Sequence, residues 1–105
     1  FILEDAACAA GARLGGRSVR TQGDAAAFSF HPRKSVTTGE GGMVTTRDGA
    51  LAERMSILRN HGASVSEEIR HLGPKPYLLP DFNVVGFNYR MTDLQAAVGL
   101  VQLSK

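Results

Sequence analysis

The sequence predicts an α/β layered fold, and three observations carry that prediction. Short apolar, strand-like runs at residues 1–3, 25–30 and 43–46 interleave with stretches of helical periodicity. Glycines separate them, as a break in the pattern at Gly15 and Gly16 and as turns at Gly23-Asp24 and Gly39-Glu-Gly-Gly42. The last segment opens on Thr92-Asp-Leu-Gln95, a Thr cap with Gln at the third helical position, which marks a helix start.

Each element has a local reason. Residues 1–3 end in two acids, Glu4 and Asp5, and read as a buried strand followed by an alanine-rich turn of helix over residues 6–12. Gly11, Gly15 and Gly16 break that pattern. Residues 25–30 form a second strand, with small side chains where close packing is needed. Residues 37–42 form a loop, and residues 43–46 a third strand. Asp48 is placed to cap a helix over residues 49–60, with Leu51, Met55 and Leu58 on one face and Gly62 at its C-terminal stop. Residues 63–85, with Gly73, Pro74, Pro76 and Pro80, read as an irregular loop, and a loop of that length is usually functional or held by other parts of a protein. Leu94, Ala97, Val98 and Val101 then recur at helical spacing.

Composition narrows the function classes. The 43% apolar fraction of the 105 residues is that of a globular chain rather than a disordered one. A net charge of +2, with Arg13, Arg17 and Arg20 spread among glycines, is not a nucleic-acid footprint. Cys8 is the single cysteine, so no intrachain disulfide forms, which fits a reducing compartment and a cytoplasmic setting. No apolar run approaches the roughly 20 residues that span a bilayer, so no membrane role is expected. The chain starts without methionine on what reads as the end of a strand, and is expected to be an internal segment of a longer protein.

The chemistry concentrates in Phe28-Ser-Phe-His-Pro-Arg-Lys34-Ser-Val-Thr-Thr-Gly39-Glu-Gly-Gly42. A lysine amine forms a Schiff base with an aldehyde cofactor when it is desolvated or electrostatically tuned. Lys34 follows a strand and precedes a glycine turn, so it can point into a cleft at the strand end; a loop lysine is otherwise most often surface decoration. Asp5 ends the first strand, where α/β sheets place ligands. A carboxylate there can hold a pyridinium nitrogen protonated and make the ring an electron sink, or it can simply start the following turn. Ser29 offers a hydroxyl to a phosphate oxygen or to a neighbouring backbone group. The residues 39–42 allow close backbone approach but are not a P-loop, and Glu40 has no derivable role. His31, His61 and His71 form no metal-ligand spacing with Cys8. Asn88 and Arg90 carry amide and guanidinium donors suited to a phosphate or carboxylate, or to loop backbone groups. Lys34 with Asp5 points to pyridoxal phosphate chemistry.

Order and spacing are more specific than any single residue. Glu4-Asp-Ala-Ala-Cys-Ala9, Gly23-Asp24, Phe28-Ser-Phe-His-Pro-Arg-Lys34, Thr38-Gly-Glu-Gly-Gly-Met43, Arg59-Asn-His-Gly62 and Gly86-Phe-Asn-Tyr-Arg-Met-Thr-Asp-Leu-Gln-Ala-Ala97 together resemble the DegT/DnrJ/StrS family of sugar aminotransferases. The resemblance covers all but residues 63–85. It implies the type I pyridoxal phosphate transferase fold (the large domain of aspartate aminotransferase-like enzymes), of which residues 1–105 would be a central part, a mixed sheet flanked by helices. It implies that Lys34 binds the cofactor aldehyde, Asp5 its ring nitrogen and Ser29 its phosphate. Cys8 stands close to the ring, where many relatives carry glutamine or histidine. Asn88 matches an asparagine that reaches the phosphate in the neighbouring subunit, which implies a homodimer. The implied reaction moves an amino group from an amino acid such as glutamate to a nucleotide-linked keto sugar, for surface polysaccharide or amino-sugar synthesis. The alternatives are a sugar dehydratase on the same scaffold, whose histidine would replace Lys34, and a regulatory protein that keeps the cofactor without turnover. The isolated segment is expected to be inactive.

Overall fold

The computed structural model describes residues 1–18 and 22–105. In chain order the elements are β1 (Leu3–Asp5), β2 (Arg13–Leu14), β3 (Arg17–Ser18), β4 (Ala25–Ser29), β5 (Gly42–Thr46), α1 (Gly49–Arg59), α2 (Glu67–Leu72) and α3 (Asp93–Leu103). They fall into two compact units, one made of Phe1–Asp48 with Met91–Lys105, the other of Gly49–Arg90.

The first unit is built on a three-stranded sheet ordered β1-β4-β5, parallel between β1 and β4 and antiparallel between β4 and β5. It is therefore mixed, as expected. The central strand carries the small residues, and Ala25 and Ala26 are buried, the latter completely. β1 is tied to the chain entering β4 by two carboxylates. Glu4 Oε1 accepts the Gln22 and Gly23 backbone N–H groups at 2.9 and 2.6 Å, and Asp24 Oδ2 accepts the Ile2 N–H at 2.6 Å. Charge-assisted bonds of this kind are stronger than neutral ones, so this pairing is held at its entrance by side chains as well as by the ladder.

α3 starts as its sequence predicts. The Thr92 hydroxyl accepts the Gln95 N–H, and the Gln95 side chain accepts the Thr92 N–H, which completes the capping box. Its apolar stripe is a different matter. Leu94 is 82% exposed, Val98 and Val101 are also exposed, and only Gly99 is buried, against Thr38. Periodicity predicts the helix, but the partner for that stripe is not among the described residues.

Four further expectations are corrected. Residues 1–3 are not a buried strand: β1 begins at Leu3, and Phe1, Ile2 and Leu3 are exposed, Phe1 to 86%. Residues 6–12 are not helical. Ala9 N–H to Ala6 C=O at 2.9 Å and Ala12 N–H to Ala9 C=O at 3.0 Å close separate turns, and Asp5 Oδ1 takes the Ala7 N–H at 3.1 Å. A side chain that bonds nearby backbone competes with helix nucleation, and the alanines before Gly11 are too few to overcome that. The glycines at 15 and 16 do not merely interrupt; they turn a hairpin, with Arg13 paired to Ser18 and Leu14 to Arg17. Both have positive φ, 56° and 79°, as a two-residue hairpin turn of the primed type requires. Arg20 lies outside the described residues. Finally, residues 63–85 contain α2, capped by Ser66, whose side chain accepts the Ile69 N–H, and closed by a Gly73 N–H to Arg70 C=O bond. The prolines begin just past its end, so their breaker signal masked a good cap.

In the second unit α1 ends at Arg59, one residue before the predicted end, with His61 and Gly62 at φ 60° and 80°. The Gly62 N–H reaches back to the Ile57 carbonyl at 2.9 Å. An extended segment takes over the remaining groups: His61 N–H donates to Phe87 C=O at 2.9 Å, and Phe87 N–H to Leu58 C=O at 2.7 Å. Bridges between Asn60 and Asn88 and between Ala63 and Phe82 continue this contact. Two glycines allow it. A Cβ on Gly62 would overlap the Val84 carbonyl, and one on Gly86 would overlap the Gly62 nitrogen and lie 2.8 Å from the Leu58 oxygen.

Gly86→Ala is therefore expected to lower stability by about 2 kcal/mol or more, because backbone rather than a flexible side chain blocks the methyl. Gly49→Ala, at a helical position with open space around it, is expected to leave stability unchanged or to raise it by up to about 1 kcal/mol. Urea unfolding midpoints of the two variants test the contrast.

Candidate active site

Parallel pairing places the C-terminal ends of β1 and β4 side by side, with Asp5 opposite Ala27. Side chains alternate along a strand, so Asp5, Ala27 and Ser29 share one face of the sheet. Two candidate cofactor contacts that are distant in the chain are thus brought to one strand-end edge by register.

Lys34 is carried on the loop after β4, and that loop is closed at its base. Phe30 N–H donates to Gly41 C=O at 2.8 Å, and the Phe30 carbonyl accepts the Thr38 N–H and the Thr37 hydroxyl at 3.1 and 3.0 Å. Inside it, Lys34 N–H donates to His31 C=O at 3.0 Å, a tight turn with Pro32 at the position its fixed φ favours. The His31 ring supports the same turn, its Nδ1 accepting the Arg33 N–H at 3.2 Å. The turn folds the lysine back, and its Nζ donates to Cys8 Sγ at 2.8 Å. Cys8 lies on the turn just past Asp5 and is exposed. Lys34, Cys8, Asp5 and Ser29 therefore belong to one strand-end edge of the first unit.

The polar groups retain capacity for a ligand. Asp5 uses Oδ1 for the Ala7 N–H, and Oδ2 has no partner among the described residues. Ser29 accepts the His31 N–H at 3.3 Å, so the local backbone bond read as one alternative is formed, but its O–H proton remains free to donate. This set matches what pyridoxal phosphate asks of a protein: an amine for the aldehyde, a carboxylate oxygen for the ring N–H and a hydroxyl for the phosphate.

Asn88 belongs to the second unit. The segment around it is anchored by Tyr89 N–H to Arg59 C=O at 2.9 Å and by Arg90 Nη1 to Asn60 Oδ1, also 2.9 Å. The Phe87 and Tyr89 rings stack with centroids 4.9 Å apart. Asn88, between them in sequence, is exposed, and its side chain has no hydrogen-bond partner among the described residues. Arg90 is committed in part to Asn60, the backbone-supporting alternative of the sequence reading. A hollow of about 340 Å³ in this unit is lined by Ser56, Ile57, Asn60 and Ser64 among others, and by none of the candidate site residues.

Sequence reasoning missed the supports of the lysine loop. Thr38, buried, donates its hydroxyl to the Glu40 carbonyl at 2.7 Å, and Gln95 Nε2 donates to the same oxygen at 2.9 Å. Glu40 thus acts through its main chain; its carboxylate lies 3.9 Å from His31 Nε2 in an exposed setting where such a pair adds little. Gln95 was legible as a capping residue, but no local signal links it to a loop 55 residues earlier.

The mixed sheet with its helices is the fold of type I pyridoxal phosphate-dependent transferases, shared with solved sugar aminotransferases. The chain belongs to the DegT/DnrJ/EryC1/StrS aminotransferase family, whose model matches residues 1–105. It is 46% identical over 105 residues to a GDP-perosamine synthase of Caulobacter vibrioides, covering 100% of this chain and 25% of that protein. Among solved structures it is similar to Helicobacter pylori PseC, an aminotransferase involved in the biosynthesis of pseudoaminic acid, with a TM-score of 0.84 and 34% identity over 98% of this chain and 25% of that one. It is also similar to the PLP-form of Spr1654 from Streptococcus pneumoniae, with a TM-score of 0.76 and 32% identity over 98% of this chain and 25% of that one. The chain thus spans about a quarter of the length of the relatives it matches.

Thr38→Val keeps the methyl that packs on Gly99 and removes only the hydroxyl. It is expected to cost about 1 kcal/mol and to speed amide hydrogen exchange across residues 37–42, whereas Thr38→Ser retains the slow exchange. Exchange measured by mass spectrometry distinguishes the two.

Proposed function

We propose that this chain is part of the large, cofactor-binding domain of a pyridoxal phosphate-dependent aminotransferase. It moves an amino group from an amino acid, glutamate in the simplest case, to a nucleotide-linked keto sugar in surface polysaccharide or amino-sugar synthesis. The observation that carries this reading is the Lys34 amine folded back to the turn after β1, at the strand end where one Asp5 carboxylate oxygen has no partner among the described residues. The similarity to a GDP-perosamine synthase and to PseC supports a nucleotide-linked sugar as acceptor, and the PLP-form relative supports the cofactor.

Bound there, pyridoxal phosphate supplies an electron sink for the charge left when a carbon–hydrogen bond breaks. The chain's own residues do the rest. Lys34 Nζ would hold the cofactor at its aldehyde carbon, and as a free amine it would move the proton at the reacting carbon. Asp5 Oδ2 would accept the ring N–H, while Oδ1 stays on the Ala7 N–H. Ser29 Oγ would donate to the phosphate. Cys8 would be a further contact to the cofactor. Asn88, its amide without a partner among the described residues, would reach the phosphate of a neighbouring subunit in a homodimer. The presence of Lys34, where the dehydratase reading needs histidine, favours amino transfer. No helix among the described residues is long and apolar enough to cross a membrane. The proposed setting is the cytoplasm.

Borohydride reduction of the full-length protein, followed by peptide mapping, is expected to place a cofactor adduct on Lys34. An adduct on another lysine, or none, would sink the assignment. Lys34→Ala is expected to lose the adduct and at least about 10²-fold in transamination rate. Asp5→Asn keeps an oxygen for Ala7 but removes the charge, and is expected to lower kcat by about 10²-fold while the adduct still forms. Unchanged transamination in both variants, with the cofactor bound, would instead indicate that these residues do not carry the reaction.

A further inference from the structure

We propose that Cys8 and Lys34 are a site of reversible covalent modification: on oxidation by a peroxide, the Cys8 sulfur and the Lys34 nitrogen become directly bonded. The juxtaposition is the reason. Lys34 Nζ sits 2.8 Å from Cys8 Sγ although 26 residues separate them in sequence. Neither side chain has another hydrogen-bond or ionic partner among the described residues. The thiol is exposed and open to a small oxidant from solvent. The lysine loop is closed at its base by the Phe30, Thr37 and Thr38 bonds, which fix the backbone that carries the amine.

The steps balance. Hydrogen peroxide oxidises the thiol to a sulfenic acid, its O–O bond breaking as one oxygen stays on sulfur and the other leaves as water. The neutral Lys34 amine then attacks the sulfenic sulfur. An S–N bond forms, the S–O bond breaks, and hydroxide departs with a nitrogen proton as a second water. The net change is loss of one hydrogen from sulfur and one from nitrogen, with one peroxide reduced to two waters. Two equivalents of a small thiol reverse it, giving back the Cys8 thiol and Lys34 amine and leaving the small thiol as its disulfide. Attack on sulfenic sulfur by a nearby nitrogen is established chemistry for backbone amides, and an amine is the better nucleophile.

The bond needs a free amine, so a pyridoxal cofactor held on Lys34 blocks it, and the bond in turn blocks the cofactor. That consequence rests on the aminotransferase reading; the cross-link itself does not. It makes Lys34 a point where oxidation and cofactor loading exclude one another.

The test uses the full-length protein freed of cofactor with hydroxylamine and then treated with hydrogen peroxide. Peptide mapping is expected to find the Cys8 and Lys34 peptides joined and lighter than their sum by two hydrogens, separated again by dithiothreitol, and never joined in Cys8→Ser. In parallel, pyridoxal phosphate with borohydride is expected to label Lys34 in the reduced protein, to fail after peroxide, and to succeed again after dithiothreitol. Cys8 found as sulfinic acid, sulfonic acid or a disulfide, with the Lys34 peptide unmodified, overturns the proposal. Joined peptides without labelling of the reduced protein leave the cross-link standing and remove the aminotransferase reading. Labelling without joined peptides does the reverse.

Discussion

The parallel pairing of β1 with β4 is the constraint on which the site depends. Asp5 and Ser29 are 24 residues apart in the chain, and nothing local connects them. The register that sets Asp5 against Ala27 brings them to one edge and one face. Glu4 and Asp24 hold that register at the start of the pair, through backbone N–H groups on either side of the junction. A slip by one residue would turn Asp5 to the opposite face of the sheet, away from Ser29. The acid directly before Asp5 therefore has a structural task, and the two neighbouring carboxylates divide the work: Glu4 fixes the strand, and Asp5 is left with an oxygen to spare.

The lysine loop follows the same logic. A flexible amine does not find its place without a rigid base, and this loop has one. Phe30 closes it, the Pro32 turn reverses it, and the Glu40 carbonyl gathers the Thr38 hydroxyl and the Gln95 amide. Gln95 thereby serves two structures at once, since its oxygen completes the α3 capping box and its nitrogen anchors the loop. The N-terminus of α3 and the loop are locked by one side chain, and the amine of Lys34 inherits that order.

Much of this was legible in the residues. The capping box at Thr92, the strands at residues 25–30 and 43–46, and the helix ending near Gly62 all rest on short-range rules, and the structure has them within a residue or two. What went unread had a competing signal or none. Alanine at residues 6–12 suggested helix, but the Asp5 side chain captured the Ala7 N–H. Proline at 74, 76 and 80 suggested a loop and hid the Ser66 cap just before it. The Gly15-Gly16 pair was seen only as an interruption, because the strands it joins are two residues long and carry no alternation to recognise. Among the site residues, type and order were readable, and the amine–thiol contact was not.

By itself, then, the sequence determined which residue types stand at the strand end, where the loops and caps fall, and which family the chain resembles. These follow from local backbone preferences and from motif spacing, which travel along the chain. Only the tertiary structure decided that Lys34 meets Cys8, that Asp5 keeps one oxygen free, that Gln95 holds the Glu40 carbonyl, and that the apolar stripe of α3 stays exposed among the described residues. The Lys34 and Gln95 contacts depend on strand register and loop closure across 26 and 55 residues, distances at which no local preference acts.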